Sequence, residues 1–229
     1  MATPEQLERN IRRFILFKIL FNARFYYPVF AILFLDLGLT PEQFALANAV
    51  WAVTIVLLEV PSGALADLVG RRKLLMAASL LMVLEMLLLL CAPLLGTGFL
   101  ITCILLNRIL SGAAEASASG ADEALAYDSM AALGCADQWP LLLEKLGRYQ
   151  SLAFVFSSIA GALIYDAGAL NKIGSWFGAD WNLLPESTRL LPVVLTLISA
   201  VTLFMACLGF RDVEHVQRAS DEGIDTWQQ

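Results

Sequence analysis

By polarity, the chain alternates long apolar runs with short polar breaks. Runs of spanning length lie at about 14–35, 44–66, 74–95, 99–120, 147–168 and 190–210. Each is close to the ~20 apolar residues that a helix needs to cross a bilayer core. None alternates like a barrel strand, and backbone groups in lipid must be satisfied within their own segment, so the runs predict helices. The expectation is an all-α membrane protein with six transmembrane helices over 14–210, an amphipathic stretch at 1–13 and a polar tail at 211–229. Residues 121–146 are too polar to span and carry an apolar face, which predicts a helix lying at the membrane interface. Residues 169–189, with Trp176, Trp181 and Pro185, predict a long outer loop with its aromatics at headgroup level.

Composition supports lipid as the solvent. Of the 229 residues, 59% are hydrophobic and 16% charged, against about half and a quarter in a soluble domain. The basic residues then set orientation. Arg9, Arg12, Arg13 and Lys18, then Arg71, Arg72 and Lys73, then Lys145 and Arg148, then Arg211 and Arg218 fall on one side. The breaks at 36–43 and 96–98 contain none, and 169–189 has only Lys172 and Arg189. Both termini are therefore expected on the cytoplasmic side of the cytoplasmic (inner) membrane. The first run is too long for a cleaved signal and has no small-residue cleavage site, so it is expected to remain as a span.

Several chemistries find no support. There is no basic stripe with interleaved aromatics for nucleic acid. The four cysteines have no pairing or metal spacing, and the single histidine, His215, lies in the tail, so no metal or cofactor is expected. No nucleophile–base pair stands at a plausible spacing for an intramembrane enzyme.

What remains is charge inside the spans. The first and fourth runs share such interruptions: Asn22 and Arg24 interrupt the first, and Asn107 and Arg108 interrupt the fourth. Three plus three helices of opposite starting orientation is the layout of an inverted repeat in secondary transporters. In the fourth run Arg108, Ser111, Glu115, Ser119 and Asp122 form one helical stripe. A lone charge in lipid costs at least ~2.5–3.5 kcal/mol, so the stripe faces protein or a wet cavity. A structural ion pair, Arg108 with Glu115 or another buried acid, and a site for substrate or protons are both open readings. Arg24, Asn22, Tyr27, Asn107, Arg108 and Glu115 are the binding candidates, and Glu59 and Glu85 are expected in structural pairings.

The 63–73 hairpin joins the second and third runs. Its Gly-x-x-x-Asp-x-x-Gly-Arg-Arg pattern, carried by Gly63, Asp67, Gly70, Arg71 and Arg72, resembles the signature loop of the major facilitator superfamily. The preceding Leu58-Glu59-Val60-Pro61-Ser62 resembles a bacterial drug-efflux branch. Arg108, Gly112 and Ala116 at four-residue spacing resemble the fourth-helix motif, and 119–129 resembles the stretch that follows it. The likeness covers about residues 10–215, although the fifth run has Ser157-Ser158-Ile159-Ala160-Gly161 where many antiporters are rich in Gly and Pro.

The resemblance implies a 3+3 inverted repeat forming the amino-terminal half of a fold that usually has twelve spans. It implies that spans one and four line a transport cavity, and that the hairpin latches the two halves together. Gly63 would admit a neighbouring helix, Asp67 would pair with Arg71 or meet a helix dipole, and Gly70 would make the turn. Ala153, Ser157 and Gly161 form a small-residue face suited to helix packing. The expected protein is a half-size secondary transporter of a small solute, with proton coupling as an option. It would pair as a parallel two-fold dimer, span two of each copy against span five of the other, or with a separately encoded carboxy-terminal half. The alternative is a non-transporting scaffold or regulatory subunit. Two arginines would suit an anionic solute; Glu115 with aromatics would suit a cationic or amphipathic one.

Overall fold

The structure is a computed structural model that describes residues 3–211; the expected tail over 212–229, with His215 and Arg218, lies outside the described residues. Helices account for nearly all of the described chain, which contains no strand. Helix α1 (Pro4–Asn22) and helix α3 (Pro41–Val69) both start at the tetrapeptide Thr-Pro-Glu-Gln. In each, the threonine oxygen accepts from the glutamine N–H and the glutamine side chain accepts from the threonine N–H. This reciprocal cap satisfies two of the helix-end donors, and proline at the first helical position has no N–H to leave unpaired.

The first span is broken. Helix α1 ends at Asn22, a single tight turn spans Tyr27–Val29, and helix α2 (Phe30–Asp36) completes the crossing. Pro28 supplies no N–H at the break, and three short backbone bonds (Arg24 N to Asn22 O, Tyr27 N to Arg24 O, Val29 N to Tyr26 O) close it.

Helix α3 runs into Gly70, whose φ of +99° only glycine adopts without strain, and helix α4 (Arg71–Cys91) turns back. Helix α5 (Thr97–Ala118) follows, and past Gly120 helix α6 (Ala121–Ala132) continues the same rod. Helix α7 (Trp139–Tyr165) returns and meets helix α8 (Ala167–Trp176) at a 90° bend. A short turn, α9 (Pro185–Thr188), leads into helix α10 (Leu191–Leu208).

Five of these segments are long and apolar enough to cross a membrane, and six if the bent α7–α8 pair counts as one. The chain is thus a multi-pass helical membrane protein.

Two stretches differ in form from the sequence-based expectation. The expected interfacial helix at 121–146 is divided: α6 packs on α1 and α4, burying Asp122, Leu125, Ala126 and Ser129, and α7 already begins at Trp139. The polar residues that made 121–132 look interfacial are matched by Lys18 and Asn10 of α1. The expected loop at 169–189 contains α8, capped by Asp166, whose carboxylate accepts from Gly168 N and Ala169 N. Asn171 then pins the returning chain through two bonds to the backbone of Leu183. Trp176, Phe177 and Trp181 remain exposed beside it.

Helix α4 is central, packed between α5 and α10, while α3 packs on α5 alone along most of its length. Of three apolar clusters, a small one joins Phe14, Ala126 and Leu146, and two larger ones fill the rest of the interior. One, at the hairpin end, joins Phe17 and Phe21 to Leu75, Met82 and Leu203. The other, at the far end, joins Tyr26, Leu33 and Phe34 to Met86, Ile104 and Val193. The break in the first span and Glu85 fall between them.

Candidate functional site

Between the two apolar clusters lies a layer of charge. Arg24, in the break, is 2% exposed and reaches α4 and α5. Its Nη1 donates to Glu85 Oε1 at 3.0 Å and to Ser111 Oγ at 3.1 Å. Its Nη2 lies 2.9 Å from Glu115 Oε1, a close ion contact without hydrogen-bond alignment. The guanidinium also stacks over Phe21 and Tyr27, with centroids at 5.2 and 5.3 Å. One cation thus holds two carboxylates, Glu85 fully buried and Glu115 at the edge with 30% of its side chain exposed. Buried charges persist in such a place only when paired and hydrogen-bonded.

Arg108 is held differently. Its Nε and Nη2 both donate to Asn107 Oδ1, at 3.0 and 2.7 Å, and Nη2 reaches Tyr26 Oη at 3.3 Å. Asn107 is fixed in turn by donating to the Glu85 carbonyl at 2.7 Å. The plane of Arg108 lies over Phe30 and Phe34, at 4.9 and 5.3 Å. No carboxylate of the described residues comes within ion-pair distance of it, and its Nη1 makes no hydrogen bond there. The aromatic faces and the attraction of the neighbouring Glu85 carboxylate, beyond ion-pair distance, stabilise its charge.

Arg108 forms part of the wall of an open cavity of about 420 Å³. Tyr27, Pro28 and Phe30 of the broken span supply one wall, Asn48 and Trp51 of α3 another, and Phe154 and Ser158 of α7 a third. Its volume lies within the range of small-molecule sites, and its lining is mostly apolar with a few polar groups. Irregular backbone at membrane depth is tolerated where it is buried in protein or lines a cavity, and the break at Arg24 does both.

The binding candidates read from sequence separate accordingly. Arg24, Asn107, Arg108 and Glu115 meet in the charged layer, and Tyr27 lies on its rim. Asn22 does not join them: it is exposed and donates to the Lys18 carbonyl of its own helix. Of the readings left open, the Arg108–Glu115 ion pair does not form: Glu115 meets Arg24, because the break carries Arg24 inward from a helix end. The stripe along α5 divides as well, with Asp122 pairing with Lys18 at 2.8 Å and Ser119 exposed at the helix end. Tyr26, Asn48, Trp51 and Ser158 are site residues that the sequence reading did not select. Asn48 and Trp51 were visible as polar and aromatic interruptions of an otherwise aliphatic run.

The hairpin is also reassigned. Arg71 pairs with Asp128 of α6, not with Asp67, and Arg72 donates to the Leu208 carbonyl at 3.1 Å. Both arginines are therefore engaged inside the chain. Gly63 has nothing within 4 Å of where a Cβ would stand, and Asp67 is exposed. The small-residue face of α7 turns inward: Ser157 and Gly161 are buried, and a Cβ on Gly161 would lie 1.8 Å from the Phe25 carbonyl oxygen. Those two residues seat α7 on the broken span and are not available to a second copy; Ala153 is half-buried.

Comparison with known proteins adds no relative: no protein-family model matches the chain, and no curated protein matches its sequence.

Proposed function

We propose that this chain is one six-helix half of a secondary active transporter of major facilitator type, which moves a small solute through a cavity shared with a second six-helix bundle. The observation that carries this reading is the open cavity at the broken first span, with a buried arginine in its wall and residues of α3 and α7 lining it. Substrate sites of secondary transporters lie near the bilayer midplane at discontinuous helices. A second bundle would complete the wall of this open cavity.

Helix α3 supports the same reading. It is the least buried span, with only 6% of its most apolar window inside the bundle. Glu59 is exposed on it, three turns from Asn48 and on the same helical stripe. A carboxylate facing lipid is costly, whereas one facing a partner or a wet cavity is not. Gly63 and Asp67 on the same helix are open to a neighbour, as the family resemblance expects of the latch. The partner is a second copy in a parallel two-fold arrangement, or a separately encoded carboxy-terminal half. Glu115, the more exposed of the two carboxylates in the charged layer, is the candidate for proton coupling. In this reading both termini and the hairpin face the cytoplasm, following the basic residues.

Inter-copy cross-linking tests the pairing. In a background without the four native cysteines, Gly63→Cys on α3 and Ser151→Cys on α7 are placed in separately tagged copies and oxidised in membranes. A dimer joined across the two tags is expected. Only monomers at full protein recovery, together with a monomeric mass in lipid discs, would remove the homodimer; co-isolation of a second six-span chain would then identify the other arrangement.

A further inference from the structure

Resting on the reading of the cavity as a substrate site, we propose that its ligand is an organic monoanion with a flat apolar body, received by Arg108. Sequence alone left the sign of the solute open, because two arginines and an edge carboxylate were all available to it. The geometry removes two of these three. Arg24 is occupied by Glu85 and Glu115 together, and Glu115 is by the same contacts committed to Arg24. Arg108 alone reaches the cavity with no carboxylate against it and with Nη1 unbonded.

Its supports are neutral groups. The Asn107 oxygen and the Tyr26 hydroxyl hold two of its nitrogens in place, and Phe30 and Phe34 bear on its plane. The cation is thus fixed in orientation and still charged, which is what a carboxylate or sulfonate needs from a guanidinium. Around it the aromatic residues Trp51, Phe154 and Tyr27 line the cavity, and Ser158 adds a hydroxyl. A small inorganic anion would leave most of the 420 Å³ unfilled. A cationic solute would meet the buried guanidinium of Arg108, the only charged group of the wall among the described residues.

The test compares three probes of one shape on the full chain in lipid discs, by calorimetric titration with empty discs subtracted: naphthalene-2-sulfonate, the neutral 2-naphthalenesulfonamide and the cationic 2-naphthylmethylammonium. Sulfonate is the anion of choice because it stays ionised. The sulfonate is expected to bind at least tenfold more tightly than the other two. Arg108→Gln should abolish that preference, and Arg108→Lys should retain part of it. A preference for the ammonium probe, or equal binding of all three, overturns the assignment of charge while leaving the cavity as a solute site. Heat from none of the three in well-folded protein overturns the assignment of the cavity itself, and the cross-linking result stands apart from either. The wild-type comparison needs no variant, so loss of folding in Arg108→Gln cannot decide the matter.

Discussion

Arg24 shows how much one residue's backbone setting decides. In an unbroken helix it would share a face with few of its present partners; in the break its side chain turns inward and gathers Glu85 and Glu115 at about 3 Å. Replacing it by the apolar and similarly long methionine leaves Glu85 buried without its cation. Removing one partner of a buried pair costs about 3–5 kcal/mol. Arg24→Met should therefore lower the unfolding free energy by that order in mixed micelles. Glu115→Gln should cost less than about 1 kcal/mol, because Glu115 is partly exposed and Glu85 still answers the arginine. Equal losses for the two variants would mean that Arg24 is not shared as described.

At the scale of the helix, glycines divide into those that seat neighbours and those that await one. Gly161 lets α7 lie on the backbone of the broken span, and Gly112 lets α5 lie on α3, where a Cβ would stand 2.8 Å from the Trp51 carbonyl oxygen. Gly63 has no such neighbour. Overpacking a tight contact costs about 1–3 kcal/mol, so Gly161→Ala should lower the thermal midpoint clearly. Gly63→Ala should change monomer stability by no more than about 0.5 kcal/mol, and its effect should fall on the yield of the inter-copy cross-link.

The same distinction marks what the sequence could and could not disclose. Apolar run length placed the spans, since length against bilayer thickness needs no knowledge of neighbours. The stripe through Arg108 and Glu115 was also legible, because helical period fixes a face. Which face meets which neighbour was not: Ser157 and Gly161 read as an outward packing surface, and only the seat at Phe25 shows that they point inward. Likewise Asp128 and Arg71 stand 57 residues apart, and their pairing depends on α6 packing against α4. The helix α8 was hidden because its ten residues are too few to declare a period, and its cap at Asp166 lies beside a sharp bend.

For the whole molecule, a charged layer lies between the two larger apolar clusters, and the cavity adjoins that layer. The scaffold alternative keeps this architecture but has no need for the cavity to face both aqueous phases in turn; alternating access requires it. Asn48, on the α3 wall of the cavity, offers the most direct check. In a cysteine-free background, Asn48→Cys is exposed to a membrane-impermeant maleimide from either side of oriented vesicles. The transporter account expects labelling from both sides, slowed from each by naphthalene-2-sulfonate. Labelling from one side only, unchanged by the probe, would contradict it.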